Sequence, residues 1–296
     1  MPISTWLSGN IKKVTTHKHP VRFFVGHGYK KIIRSISTLF PKFLTIFPVT
    51  YVKGNFKLRL APTLLSYVMY EYPHVRQDDE EFIARLLGPG DVYVDVGANV
   101  GNTTLAAAYA IGGTGGGHVY AYEAHPRTYG YLLNSLEANK QLANIITPYN
   151  VALGEQEGYM QFTDLQNDDI NKMTRSGGIT VKVETLDQQH FPEKINLLKI
   201  DVEGYEYFVL RGASKTLAKT ETIIFESYIN NYEVFNVTLP QIIAHLKSFG
   251  FSIYTEYGLV LKEIDETYSS SVCEDLIATK NLESLLSRGL TLTLTP

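Results

Sequence analysis

The chain has 296 residues, of which 44% are hydrophobic and 19% charged, with a net charge of −3 at pH 7 and a single cysteine, Cys273. This length suits one large α/β domain with appendages. One thiol excludes an internal disulfide, no Cys/His metal spacing occurs, and no apolar run approaches the roughly 18 residues of a membrane span. No secretory leader is legible, so the expected location is cytoplasmic.

Residues 1–70 carry eleven Lys or Arg and no Asp or Glu, leaving 16 basic and 30 acidic groups to the remainder. Ile32, Ile33, Ile36, Leu39 and Phe40 fall at helical spacing beside Lys30, Lys31 and Arg34. A basic amphipathic helix is predicted there. It either lies peripherally on an anionic membrane or packs its apolar stripe on the neighbouring domain. The organisation expected is a basic segment over 1–70, a catalytic domain over 71–262 and a C-terminal extension over 263–296. Nothing in the sequence fixes an oligomeric state.

From residue 91 strand and helix signals alternate: strands over 92–96, 119–123, 145–151, 196–201 and 222–227, and helices near 101–110, 126–139 and 204–218. Such alternation predicts a parallel sheet covered by helices on both faces. Residues 156–163 and 178–184 predict a hairpin-like insertion. A late helix starts at Thr238-Leu239-Pro240-Gln241, with threonine as cap and glutamine three residues on, and Gly250 stops it. Residues 251–255 and 258–261 predict a terminal antiparallel pair.

The chemistry starts at Val92-Tyr93-Val94-Asp95-Val96-Gly97-Ala98-Asn99-Val100-Gly101, an apolar strand that breaks on glycine and leads into a helix. A dinucleotide site wants Gly-x-Gly-x-x-Gly, yet the second and third positions after Gly97 are Asn99 and Asn102. Asp95 at the strand end would repel phosphates but suits an ammonium group. Glu123 closes the next strand, where a carboxylate can accept both ribose hydroxyls. An amino-acid end and an unphosphorylated ribose describe S-adenosylmethionine. Its expected pocket is Asp95, Gly97, Asn99, Gly101, Asn102 and Glu123, with Asn150 at the adenine edge.

These residues, with Gly88-Pro89-Gly90-Asp91, Val151-Ala152-Leu153-Gly154, Thr185-Leu186-Asp187 and Lys199-Ile200-Asp201-Val202-Glu203-Gly204-Tyr205-Glu206, resemble the FkbM methyltransferase family of class I S-adenosylmethionine-dependent enzymes. The resemblance covers roughly residues 71–262. One departure stands out: the family usually has proline directly after the ribose-binding acid, and here Ala124-His125-Pro126 delays it. The resemblance implies a Rossmann-like, mostly parallel seven-stranded sheet and O-methylation of a hydroxyl on a small molecule, sugar or glycolipid. Two alternatives are an RNA 2′-O-methyltransferase, which the acidic catalytic portion disfavours, and a non-catalytic membrane-surface adaptor.

Ligands of an open α/β sheet sit beyond the carboxyl ends of its strands. Asp201 and Glu226 end two strands and remain once the cofactor is accounted for. Methyl transfer to oxygen demands alignment and removal of a hydroxyl proton. A carboxylate can be the base, with Glu203 as a further candidate, or Asp201 and Glu226 can hold Mg2+. The plainer roles are Asp201 as cap of the next helix and Glu226 paired with Lys199 or Arg211. His125 is either pocket-lining or an ordinary turn residue, and Glu71 or His74 could touch cofactor or acceptor.

Overall fold

The computed structural model describes residues 49–63, 66, 68–69, 76–112, 115–165 and 171–293. The amphipathic stretch at 30–40 and the positions of Glu71 and His74 lie outside these residues. The described chain opens with an antiparallel hairpin, β1 (Thr50–Lys53) and β2 (Phe56–Arg59). Phe56, Leu58 and Leu60 are buried in the main core. The hairpin backbone is tied to the body of the fold: Asn139 Oδ1 accepts from Lys57 N at 2.8 Å and Ser135 Oγ from Arg59 N at 3.2 Å. Lys53 forms a buried ion pair with Glu80, on α1 (Gln77–Leu86). This part of the basic segment is therefore built into the core.

The α/β body follows: β3 (Val92–Val96), α2 (Asn102–Ile111), β4 (His118–Tyr122), α3 (Pro126–Glu137), β5 (Ile146–Tyr149), β6 (Ala152–Leu153), β7 (Gly158–Phe162), β8 (Met173–Thr174), β9 (Ile179–Glu184) and β10 (Ile195–Ile200). After these come α4 (Glu206–Arg211), α5 (Ser214–Lys219), β11 (Thr220–Ser227), α6 (Ile229–Glu233), α7 (Leu239–Ser248), β12 (Ser252–Tyr257), β13 (Val260–Ile264), β14 (Glu274–Thr279), α8 (Leu282–Ser287) and β15 (Thr291–Leu292). The central sheet has the order β15-β13-β12-β14-β11-β10-β3-β4-β5. From β11 to β5 every neighbouring pair is parallel. All five residues of β3 are buried, as a strand covered on both faces requires. Two apolar clusters, one holding Tyr93, Leu105 and Val119 and the other Val94, Leu198 and Phe225, pack on its two faces.

Seven strands, β5 through β12 in sheet order, form the expected mostly parallel sheet, and β13 and β15 lengthen one edge. The expected antiparallel pair is β12 with β13. The strand that reverses direction inside the sheet is instead β14, antiparallel to both β11 and β12. It lies in the stretch 263–296 read from the sequence as an extension. The expected helix over 204–218 is two helices. Gly212 separates them because the chain there passes so close to the Gly154 carbonyl that a Cβ would sit 2.0 Å from its oxygen. Asp187 caps the second helix by accepting from Lys215 N at 2.9 Å and Thr216 N at 2.8 Å. The predicted capping box at Thr238 and Gln241 is present.

The insertion forms a second sheet of order β6-β9-β7-β8, with β7 and β9 antiparallel as the hairpin reading expected. Because β6 follows directly on β5, this sheet starts at the carboxyl rim of the central one. Among the described residues no helix is long and apolar enough to cross a membrane.

Candidate functional site

The glycine turn is dictated by a crossing of chains. Gly97 has φ 88°, and a Cβ there would lie 1.9 Å from the Asp201 carbonyl oxygen, so the turn after β3 and the end of β10 touch backbone to backbone. Gly101, at φ 95°, abuts Leu132, 2.8 Å from where its Cβ would be. Asn99 also takes a left-handed conformation, φ 51°, which asparagine tolerates better than most residues.

Asp95 is fully buried at the end of β3. Its Oδ2 accepts from Thr103 Oγ1 at 2.9 Å and Thr104 Oγ1 at 2.6 Å. Its Oδ1 has no hydrogen-bond partner among the described residues, and Lys199 Nζ stands 3.9 Å away. Asn102 Oδ1, one residue before Thr103, is a second buried acceptor in the same condition. Buried acceptors without donors are costly, and a ligand ammonium would satisfy them. Glu123 is held rigidly: it accepts from Asn99 N at 3.0 Å through one oxygen and from His125 N at 2.9 Å through the other. Asn150 donates its amide to the carbonyls of Glu123 at 2.8 Å and Ala124 at 3.1 Å, strapping the loop that carries that acid. His125 serves as the N-cap of α3, its Nδ1 accepting from Arg127 N at 3.2 Å, which is the turn role.

Beside this turn the acids of β10 and β11 converge. Carboxylate oxygens of Asp201, Glu203 and Glu226 lie within 4.8 Å of one another. Glu203 precedes α4 in a left-handed conformation, φ 56°, with Tyr205 as the helix N-cap position. Burial, then Glu226 and Asp201, hold the Glu203 carboxyl well above its ordinary value. Asn231 Nδ2 donates to Glu203 at 2.9 Å, and Lys172 Nζ to Asn231 Oδ1 at 2.8 Å. Cys273 Sγ donates to Glu226 at 3.0 Å. Lys199 pairs with Asp201 at 3.0 Å and Arg211 with Glu155 at 2.8 Å. Burial alone would depress the Lys199 ammonium, but Asp201 and Asp95 outweigh it and keep it above its usual value. Lys199 thus stands between the glycine turn and the acid cluster.

Asn231, Lys172 and Cys273 were not singled out from the sequence. Each arrives from a different segment, just before β8, on α6 and just before β14, and only tertiary packing brings the three to the acids.

The model of the methyltransferase FkbM domain matches residues 95–253, from the buried aspartate to β12. The chain belongs to this family. FkbM membership agrees with the mostly parallel α/β sheet, and the matched span contains Asp95, Glu123, Asp201, Glu203 and Glu226. This FkbM chain is similar to the hexuronic acid methyltransferase AglP of Haloferax volcanii, 28% identical over 142 residues, 46% of this chain and 55% of that protein. The match therefore spans about half the length of that relative. Among solved structures it resembles a methyltransferase FkbM from Methylobacillus flagellatus, with 14% identity, a TM-score of 0.44, and 84% of this chain and 60% of that one covered. It also resembles an S-adenosylmethionine-dependent O-methyltransferase of Thermotoga maritima, with 17% identity, a TM-score of 0.40, and coverage of 76% and 73%.

Proposed function

We propose that this chain moves a methyl group from S-adenosylmethionine to a hydroxyl of a sugar or glycan. The observation that carries the reading is the unsatisfied buried oxygen of Asp95 at the glycine turn, one strand away from three crowded carboxylates. Family membership supports methyl transfer. The hexuronic acid methyltransferase among its relatives supports a sugar acceptor.

S-adenosylmethionine supplies an electrophilic methyl on a sulfonium. The protein's part is to orient and to manage a proton. Asp95 and the Asn102 carbonyl would hold the amino-acid end, and Glu123, fixed by two backbone amides, would take the ribose hydroxyls. Asp201 and Glu203 are then the groups to receive the acceptor's proton. Burial and the two neighbouring acids hold the Glu203 carboxyl above its ordinary value, so it takes up a proton more readily than an ordinary carboxylate. A second scheme uses the same residues. Asp201 and Glu226, joined by Glu203, offer the hard oxygen ligands that Mg2+ prefers, and a cation there would lower the acceptor's pKa.

Calorimetry with S-adenosylhomocysteine tests the cofactor assignment: Asp95→Ala and Glu123→Ala should each weaken binding by about 1 to 3 kcal/mol, the scale of a hydrogen bond to a charged group. Unchanged affinity in both folded variants rejects the pocket. Asp201→Asn separates binding from chemistry, retaining affinity while methyl transfer falls roughly 100-fold or more. Chelation decides between the two proton schemes. Activity lost to a chelator and restored by Mg2+ assigns a cation, whereas indifference assigns direct base catalysis.

A further inference from the structure

Beyond the acid cluster, the second sheet and α4 enclose an open pocket of about 530 Å3. Its floor is aromatic. Tyr205 stacks on Phe208 with ring centres 4.6 Å apart, Phe235 meets Tyr205 edge-on at 5.2 Å, and Tyr159 stands at the rim with 74% of its surface exposed. Gln161 and Thr180, hydrogen-bonded to each other at 3.0 Å, add a polar wall. Arg175 lines the same pocket, is exposed, and has no carboxylate partner among the described residues. The other described residues that line the pocket are uncharged, so this guanidinium is the charge a ligand would meet there.

None of the three acids lines the pocket, but the same chain segments build both. Three segments each contribute to both: Lys172, in the chain of hydrogen bonds to Glu203, runs on into Thr174 and Arg175; Glu203 into Tyr205 and Phe208; Asn231 into Phe235. A ligand seated here would extend towards Glu203.

We infer that this pocket is the acceptor subsite and that it takes a saccharide bearing a carboxylate, a uronic acid unit; the inference rests on the sugar methyltransferase reading above. Aromatic faces pack on the apolar C–H face of a pyranose while leaving its hydroxyls to the polar wall. The planar guanidinium forks onto a carboxylate through two parallel hydrogen bonds, a match that a lysine would not reproduce. An open, shallow site of this size suits one or two sugar rings.

The test uses the full chain, with and without saturating S-adenosylhomocysteine, titrated with methyl glucuronoside, methyl glucoside and glucose 6-phosphate and followed by ligand-observed NMR. The uronoside should bind about tenfold or more tightly than the glucoside, the effect of one charged hydrogen-bonding pair. Arg175→Ala should bring the uronoside down to the glucoside's level, Arg175→Lys should restore only part of the difference, and Tyr159→Ala should weaken both sugars. Both residues are exposed, so the variants keep the fold. Equal binding of uronoside and glucoside, no response to Arg175→Ala, no detectable uronoside binding, or tighter binding of the phosphate each overturns the assignment. Failure of S-adenosylhomocysteine to bind would strike the cofactor reading alone, because the sugars are also titrated without it.

Discussion

At Glu206 a carboxyl group without exposed surface accepts the amides of Val202 at 3.0 Å and Gly204 at 3.1 Å with one oxygen and finds no partner among the described residues for the other. Burial, with Glu226 nearby, pushes it from 4.5 up to about 8. The folded state therefore holds a proton that the unfolded chain releases. The stabilisation linked to that proton is full below about pH 4.5 and is lost as pH rises through about 8. Glu206→Gln retains an oxygen for the two amides and removes the titration. Thermal denaturation should show wild-type stability falling by a few kcal/mol on passing from mildly acid to alkaline pH, and a flatter profile in the variant. Parallel profiles would assign the slope to other groups. Asp95 and Glu123 were legible in the sequence because strand ends before glycine or a turn announce themselves. Glu206 stood in the sequence only as the end of the Lys199-to-Glu206 run, since its surroundings depend on Glu226 and Tyr232 being brought beside it.

Among the elements, β14 shows where pattern reading fails. Its sequence Glu274-Asp275-Leu276-Ile277-Ala278-Thr279 opens on two acids and offers three apolar residues in a row, too few to announce an interior strand. Yet Leu276, Ile277 and Ala278 are buried opposite Phe225, Ile224 and Ile223. The parallel strands were found because each is apolar and flanked by a helix. The position of β14 is a matter of tertiary pairing. Leu276→Ala should accordingly cost about 2 to 5 kcal/mol in urea denaturation, as deletion of a buried leucine does. Leu292→Ala in the edge strand β15, 36% exposed, should change stability by less than about 0.5 kcal/mol. Equal losses at the two sites would place β14 outside the cooperative core. The break between α4 and α5 was hidden for a related reason: Gly212 reads as a tolerable helix glycine until the Gly154 carbonyl is seen against it.

For the whole molecule, the charge asymmetry of the sequence divides at a different place from the fold. Lys53, Lys57 and Arg59 belong to the basic stretch, but their hairpin carries Phe56 and Leu58 into the core. Removal of residues 1–48 should therefore leave S-adenosylhomocysteine binding intact, whereas removal of 1–70 should unfold the protein by taking Phe56, Leu58, Leu60 and Met69 with it. If residues 1–48 attach to an anionic bilayer, the shorter deletion also abolishes sedimentation with anionic liposomes, and salt weakens the full-length interaction. A full-length chain that ignores such liposomes at low salt rejects that attachment. The sheet order has a further consequence for how the protein is made. β14 is synthesised after β12 and β13 but sits between β12 and β11. A ribosome that has delivered residues up to Ile264 thus holds a sheet with a slot in its middle, two open strand edges facing each other, and no thiol yet beside Glu226. Open edges invite pairing with other chains. Nascent chains stalled at that point should be cut by protease between β11 and β13, and those stalled far enough on to free β14 should resist. Equal resistance at both lengths would mean that the slot closes without its strand. Closure of the slot and arrival of the Cys273 thiol at Glu226 are then one event, timed by β14.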